Sequence, residues 1–342
     1  MSADTFHIAR ARVGPGETRD LSLKVSESYS GAPIRLPVRV IRGTAPGPAL
    51  FVCGAVHGDE LNGAGIVREL ILGEPPAVVA GTLVLVPVVN MFGFEHHSRY
   101  LPDRRDLNRS FPGSRAGSLT ARLASTFFRE VVLRCQYGID LHSAASHRTN
   151  LPHIRADLTE PRTARLARAF GCELIVNTPG PEQSLRRAAC QAGCATVVLE
   201  AGEVWKVERD VLRTGVRGVQ NVLAELGMIE GTPREAPYQI EVARTVWVRS
   251  PTGGMLQFHV ALGELVERGQ PVAVCSDLLG HGRTPVRSHV EGVVMSVSTL
   301  PVVKPGDPVC HIAVPTGGLP GLRASLEGTQ PAPADPAPGP VG

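Results

Sequence analysis

Residues 48–60, PALFVCGAVHGDE, join a continuous apolar run to a cluster of polar groups. An uninterrupted run of this kind is typical of a strand that is buried on both faces of a sheet. Comparable runs follow at TLVLVPVVN (82–90), YGIDLH (137–142), CELIVNT (172–178) and CATVVLEAG (194–202). The segments between them show helical periodicity, at 62–72, 116–133, 159–170 and 208–229. The alternation predicts an α/β fold in which helices cover both faces of a sheet.

The character of the sequence changes on either side of this core. Residues 16–43 form short alternating runs broken by Gly and Pro, which indicate antiparallel strands at the entry to a mixed sheet. After about residue 237, short strands and glycine turns continue to residue 315 without a helical pattern. The rest is rich in Pro, Gly and Ala. We therefore expect an α/β domain at 1–236, an all-β barrel-like domain at 237–315 and a disordered tail at 316–342.

The composition excludes several classes of protein. The chain has 342 residues and a formal charge of +3, from 35 Lys and Arg against 32 Asp and Glu, without a long basic block. This balance argues against nucleic-acid binding. No apolar run is long enough to span a membrane, and residues 1–16 lack the apolar stretch of a signal peptide. Seven cysteines without CxxC spacing indicate buried free thiols. We expect a soluble cytoplasmic protein without a nucleic-acid or membrane partner, and homo-oligomerisation stays open.

Polar groups gather at the ends of the predicted buried strands. His57 and Glu60 follow the first strand, His142 ends the third, and Glu200 closes the last. A long connection, residues 91–113, carries further charged and amide groups, among them Arg99, Asn108 and Arg109. Functional groups in open α/β sheets collect beyond the carboxyl ends of strands. These positions therefore predict one site.

The residue types at these strand ends suit metal-assisted hydrolysis. Zinc accepts imidazole nitrogen and carboxylate oxygen, and a catalytic site keeps three protein ligands and one open position. His57, Glu60 and His142 supply such a set, and Glu200 is a candidate to move a proton to a leaving nitrogen. Each signal is weak alone, since HxxE recurs by chance and Glu200 could be a salt-bridged surface group. Four other histidines compete for the third ligand position: His96, His97, His147 and His153.

Taken together, these motifs resemble the succinylglutamate desuccinylase and aspartoacylase family, relatives of the zinc carboxypeptidases. The resemblance rests on HGDE at 57–60, SRYLPDRRDLNRSFPG at 98–113, DLH at 140–142 and LEAG at 199–202. It implies a zinc-carboxypeptidase-like mixed sheet that holds one Zn²⁺ per chain. It places the zinc ligands on His57, Glu60 and His142, and the general base and acid on Glu200.

The same resemblance assigns the substrate contacts. It places a carboxylate-binding pair on Asn108 and Arg109, and a group that supports the substrate carbonyl on Arg99. The implied reaction is hydrolysis of the amide bond of a small N-acyl amino acid, and not of a peptide bond. The acyl group and the amino acid stay open.

Two other readings of the site remain. A zinc carboxypeptidase or a peptidoglycan-type amidase would use the same metal and glutamate on a peptide. A binding protein that has lost catalysis is disfavoured because Glu200 is present.

The C-terminal segments at 250–256, 260–272 and 303–309 are similar to the half-motifs of biotinyl and lipoyl barrels. Residues 275–294 contain no lysine, which argues against a carrier and leaves framing of the active-site mouth as the expected role.

Overall fold

The computed structural model describes residues 5–73 and 75–318. The predicted tail therefore lies outside the described residues, apart from positions 316–318. The strands are β1 Phe6–Ile8, β2 Ala11–Val13, β3 Thr18–Glu27, β4 Pro33–Arg42, β5 Ala45–Gly54, β6 Ala80–Val86, β7 Tyr137–His142, β8 Arg148–Ala156, β9 Leu174–Asn177, β10 Ala195–Gly202, β11 Ile240–Arg249, β12 Gly254–Phe258, β13 Leu265–Val266, β14 Pro271–Ser276, β15 Thr284–Arg287, β16 Gly292–Ser298, β17 Val302–Val303 and β18 Pro308–Pro315.

The helices alternate with the strands of the first two thirds of the chain. The α-helices are α1 Leu61–Leu72, α2 Met91–Glu95, α3 Leu119–Glu130, α4 Pro161–Phe170, α5 Leu185–Gln191 and α6 Arg209–Glu225. Single 3₁₀ turns occur at Leu107–Arg109 and Val132–Arg134. Within the described residues, no helix has the length and apolar character that crossing a membrane requires. All seven cysteines are free, and all but the half-buried Cys190 are buried, which confirms the prediction of buried free thiols.

A twelve-stranded mixed sheet runs through the molecule in the order β13-β16-β18-β11-β9-β8-β10-β7-β5-β6-β4-β3. Its middle strands β6, β5, β7 and β10 are parallel, whereas β3 and β4 pair antiparallel. Alternate side chains of β5 enter opposite cores. Phe51 packs in the core with α3 and α5, and Val52 packs in the core with α1, α4 and α6. The sequence prediction of a mixed sheet with helices on both faces is confirmed.

The predicted C-terminal β-rich region is present. Its strands β12, β14, β15 and β17 form a separate four-stranded sheet. This sheet shares a buried apolar cluster with side chains of β11, β16 and β18, including Val248, Val294 and Ile312. The region is nevertheless continuous with the large sheet, because β11 pairs in parallel with β9. Strand pairing thus crosses the expected boundary at residue 236.

Five strands of the large sheet close into a circuit, which we call the strand ring. β8 pairs with β9, β9 with β11, β11 with β18, β18 with β16, and β16 pairs back to β8. Its strands share a buried apolar cluster of their own, formed by Leu174, Val176, Ile240, Val242, Val293, Met295 and Ala313. The ring therefore joins strands of the α/β part to strands of the C-terminal region.

Candidate active site

The first two candidate ligands lie on a tight turn between β5 and α1. β5 ends at Gly54, and α1 begins at Leu61, immediately after Glu60. The turn passes so close to α2 that a Cβ atom on Gly58 would lie 2.0 Å from the carbonyl carbon of Gly93. A side chain at position 58 would therefore push the turn away. Glycine at this position lets His57 and Glu60 face the same point from one short segment.

The third candidate ligand comes from the end of β7. His142 Nδ1 lies 2.8 Å from Glu60 Oε2, and His57 Nδ1 lies 2.6 Å from Glu60 Oε1. One ligand atom from each residue falls within 4.8 Å of the other two. All three residues are at most 4% exposed. The structure thus brings together the residues that the sequence predicted as the metal site.

A second layer of carboxylates orients the two imidazoles. His57 Nε2 lies 3.2 Å from Asp106 Oδ1, and His142 Nε2 lies 2.9 Å from Asp140 Oδ2. A carboxylate behind a ligating histidine fixes its tautomer and strengthens it as a ligand. Both Nδ1 atoms are thereby directed towards the Glu60 carboxylate. The donor set, two nitrogens and a carboxylate, fits zinc.

The charges of the cluster favour a cation between these groups. Burial raises the pKa of Glu60, but His57 and His142 hold it far below its usual range. Burial lowers the pKa of both histidines, yet the carboxylates beside each raise it, through Glu60 and Asp106 for His57 and through Asp140 and Glu60 for His142. The buried carboxylates therefore demand positive charge at this point. A divalent cation satisfies that demand while leaving the imidazoles neutral, as ligands must be.

Glu200 faces the same cavity from the neighbouring strand. β10 pairs in parallel with β7, and Glu200 lies in register with His142. Its Oε2 accepts a hydrogen bond from Asn150 Nδ2 at 3.1 Å, and its Oε1 lies 3.6 Å from Arg155 Nε. A side chain amide and a guanidinium thus fix both oxygens of the carboxylate. The Glu200 side chain is only 20% exposed, so the surrounding protein leaves it little room to move away from these two partners.

The predicted substrate-binding residues take three different places. Arg99 packs against the His57, Glu60 and His142 cluster, with its guanidinium 3.2 Å from Glu60 Oε1 and 3.0 Å from Asp106 Oδ2. Asn108 is half-buried, and its Oδ1 accepts a hydrogen bond of 2.8 Å from the backbone N–H of Leu185 at the start of α5. Arg109 is exposed, with its side chain donating to the backbone carbonyl of Asn108. All three line the cavity that contains the candidate metal ligands.

This cavity has a volume of about 330 Å³ and is predominantly polar. It is lined by His57, Glu60, Arg99, Asn108, Arg109, His142, Ser143, Ala144, Ala145, Arg148, Asn150, Arg155, Pro181, Ser184, Arg186, Val198, Glu200, Trp247, Ser296 and His311. Five of these residues are arginines, against the carboxylates of Glu60 and Glu200. The cavity is therefore suited to an anionic ligand.

Sequence reasoning missed a large part of this lining. Arg148, Asn150 and Arg155 come from β8, and Arg186 comes from α5. Arg186 is only 4% exposed, and burial together with the nearby Arg155 lowers its pKa to about 10. The sequence of β8, RTNLPHIRA, is rich in polar residues for a strand of this sheet, and this was a usable signal that β8 lines the site.

The four competing histidines lie apart from the candidate metal ligands. His96, His97 and His147 are exposed. His153 is fully buried, and its ring bonds to the carbonyl of Leu151 and to Arg155. Burial lowers the pKa of His153 to about 3, so it is neutral. Within the described residues, the His57, Glu60 and His142 group is the only cluster with metal-ligand geometry.

Comparison with known proteins agrees with this architecture. The family described as the succinylglutamate desuccinylase/aspartoacylase catalytic domain matches residues 46–226. The chain is 30% identical over 307 residues to N-alpha-acetyl-L-2,4-diaminobutyric acid deacetylase from Halomonas elongata, covering 86% of this chain and 89% of that protein.

Solved structures give the same result. A succinylglutamate desuccinylase/aspartoacylase from Rhodobacter sphaeroides superimposes with a TM-score of 0.76 at 26% identity, covering 86% of this chain and 94% of that one. The product-bound ectoine utilization protein EutE (DoeB) from Ruegeria pomeroyi superimposes with a TM-score of 0.77 at 25% identity, covering 87% and 95%. The predicted family and fold are confirmed, as is the prediction of an enzyme that hydrolyses amide bonds. The family match covers residues 46–226, and the Halomonas elongata deacetylase is 30% identical over 86% of this chain. The chain therefore belongs to the succinylglutamate desuccinylase/aspartoacylase family.

Proposed function

We propose that this protein hydrolyses the amide bond of a small N-acyl amino acid with one zinc ion held by His57, Glu60 and His142. The observation that carries the proposal is that a buried His-Glu-His cluster and Glu200 open into one small cavity. When bound, zinc supplies Lewis-acid chemistry, which polarises a carbonyl and makes water acidic near neutral pH.

The residues of the chain supply the remaining chemistry. Glu200 accepts a proton from the attacking water and delivers a proton to the leaving amide nitrogen, so that water and amide become a carboxylic acid and a free amine. Asn150 and Arg155 keep its carboxylate in place for both transfers. Arg99 lies beside Glu60 and would support the substrate carbonyl.

The arginines of the cavity would bind the substrate. A guanidinium holds a carboxylate through two parallel hydrogen bonds, which suits Arg109 and its neighbour Asn108 for the carboxylate of the amino acid. Arg186 is a further candidate for the same task, because it is a buried cation that lines the cavity. The cavity volume of about 330 Å³ suits a molecule of the size of an acyl amino acid rather than a peptide.

We further propose that the parts of the chain before and after about residue 236 have different roles in the active site. Residues 1–236 carry the metal cluster and Glu200, whereas residues 237–315 close the cavity through Trp247, Ser296 and His311.

Metal analysis combined with a substrate panel tests the proposed function. We expect one zinc per chain, and hydrolysis of at least one N-acetyl or N-succinyl amino acid with little cleavage of dipeptides. Faster hydrolysis of dipeptides than of every acyl amino acid would favour the peptidase reading. A protein without a divalent metal that nevertheless hydrolyses these amides would overturn the assignment of the metal site.

A further inference from the structure

A buried thiol lies behind the carboxylate that supports His142. Cys53 on β5 is in register with Asp140 on β7, so the two side chains project from the same face of the sheet. The Cys53 thiol donates a hydrogen bond to Asp140 Oδ1, with 3.6 Å between Sγ and Oδ1. Both residues are fully buried. Since Asp140 Oδ2 lies 2.9 Å from His142 Nε2, a single carboxylate links the thiol to a candidate metal ligand.

The Asp140 carboxylate depends on this thiol for one of its two oxygens. A buried carboxylate is costly unless its oxygens accept hydrogen bonds. Within residues 5–73 and 75–318, Oδ2 is paired with His142, and the only hydrogen-bond donor to Oδ1 is Cys53. Arg186 is close enough for its pKa to respond to Asp140, but its guanidinium donates to the carbonyl of Thr178. Loss of the thiol would therefore leave Oδ1 unsatisfied.

The surroundings of Cys53 favour the thiol as a donor. Burial, and next the charge of Asp140, raise the pKa of Cys53 well above its usual value, so the sulfur keeps its proton. The thiol packs in an apolar core with Phe51, Val86 and Leu185. A thiol is a weak donor in water, but a hydrogen bond to a charged acceptor is stronger in a medium of low dielectric constant.

The orientation of His142 depends on that of Asp140. An aspartate carboxylate rotates over a broad range about its last side-chain bond unless both oxygens are held. When it is held, Oδ2 accepts the Nε2–H of His142, and Nδ1 points at Glu60 Oε2, 2.8 Å away. A rotated carboxylate would release the imidazole and make His142 a weaker metal ligand.

We propose that Cys53 is a positioning residue of the metal site, whose thiol holds the Asp140 carboxylate and, through it, the His142 imidazole. Cys53 lies outside the cavity lining, so it acts on the site only through Asp140. The proposal rests on the proposed function, because it takes His142 as a ligand of the zinc ion. It goes beyond that function by making zinc affinity depend on a hydrogen-bond donor at position 53.

Competition for zinc with a chromogenic chelator measures this dependence. In Cys53→Ala the Kd for zinc should rise about tenfold, as is typical when a group that supports a metal ligand is lost. Cys53→Ser is close to alanine in size but keeps a donor, and the Asp140 carboxylate can move towards the smaller oxygen. Its Kd should therefore stay within about threefold of wild type.

The two variants separate the donor from packing. Both remove the sulfur and leave a small void in the core, so a role in packing alone predicts the same Kd for both. Equal Kd in Cys53→Ala and Cys53→Ser would overturn the proposal. Cys135→Ala is the matched control, because it truncates another buried thiol of the same core and should bind zinc like wild type. If Cys53→Ala does not fold, Cys53→Val replaces it, since valine fills the space without a donor.

A double variant tests the route through Asp140. Asp140→Ala should weaken zinc binding by itself, and adding Cys53→Ala should then weaken it no further. Losses that add would show that Cys53 acts by another route and would overturn the proposal. A wild-type protein that binds no zinc would refute the metal site and the role of Cys53 together. Zinc binding that is equally tight in wild type and Cys53→Ala would refute the role of Cys53 alone.

Discussion

Glu200 lies in register with His142 on the adjacent parallel strand. Residues in register project from the same face of a sheet, with side chains about 5 Å apart at their base. The candidate proton carrier and a candidate metal ligand are therefore positioned by backbone hydrogen bonds between β7 and β10. No flexible loop intervenes between them.

Glu200→Gln should separate metal binding from catalysis. The amide keeps the size and the hydrogen bond with Asn150 but cannot accept a proton. We expect full zinc content and a loss in kcat of about a hundredfold or more, as is typical when general acid and base catalysis is removed. Metal analysis and steady-state kinetics measure both. Glu203→Gln, which lies outside the cavity lining, serves as control, and near-normal kcat in Glu200→Gln would refute its role.

His142→Ala should release the metal. The variant leaves two protein ligands, and Asp140 Oδ2 loses its imidazole partner in a buried site. We expect zinc content after dialysis to fall well below one per chain, whereas His147→Ala, an exposed histidine close by in the sequence, should keep it. If His142→Ala holds stoichiometric zinc, the ligand set is wrong.

Arg109→Lys should weaken recognition of the substrate carboxylate. A lysine keeps the charge but loses the planar pair of donors. We expect kcat/KM for carboxylate-bearing substrates to fall about tenfold, or ~1.4 kcal/mol. Arg105→Lys, in the same loop but outside the cavity lining, should behave like wild type. An unchanged kcat/KM in Arg109→Lys would transfer the role to another cation, of which Arg186 is the most buried.

Asp103 anchors the active-site loop, and its contribution to stability should depend on pH. Its carboxylate accepts hydrogen bonds from the hydroxyl and, at 3.0 Å, from the backbone N–H of Thr120 at the start of α3. Partial burial raises the pKa of Asp103, but these bonds lower it by more, and the folded pKa lies below the usual 3.8. The stabilisation is thus present above about pH 4 and lost as the pH falls through the folded pKa.

We therefore expect Asp103→Asn to lower the free energy of unfolding at pH 7 by about 1–2 kcal/mol. The difference from wild type should shrink below pH 4, as measured by urea denaturation across pH. Asp157→Asn is the control, because Asp157 makes similar bonds to Thr159 at an exposed position away from the loop. A difference that stays constant down to pH 2 would show that the ionised carboxylate is not the cause.

The sequence alone predicted those strands and site residues whose positions follow from a local sequence pattern. Buried strands show as apolar runs, and the polar residues that end them, such as His57 and His142, must gather at one edge of a parallel sheet. The wall formed by Arg148, Trp247 and Ser296 could not be found this way. These residues meet only because distant strands pair in a specific register, and register depends on side-chain packing of the whole sheet.

The same limit applies to the way the C-terminal region joins the large sheet. Its strands were recognised from turn residues, but no local pattern reveals that β11 adds to β9 or that β16 returns to β8. The position of Arg99 is a similar case. Its guanidinium lies on Glu60 and Asp106, a contact that depends on the path of the whole 91–113 connection.

The strand ring also limits how early the protein can fold during its synthesis. β9 ends at Asn177, and β16 begins at Gly292, so the ring cannot close until the chain as far as β16 has left the ribosome. Until then β8 and β9 present unpaired edges, which invite pairing with other nascent chains. Shortened products of this chain should therefore be prone to aggregation, and chaperones that shield open sheet edges should matter most for its last third.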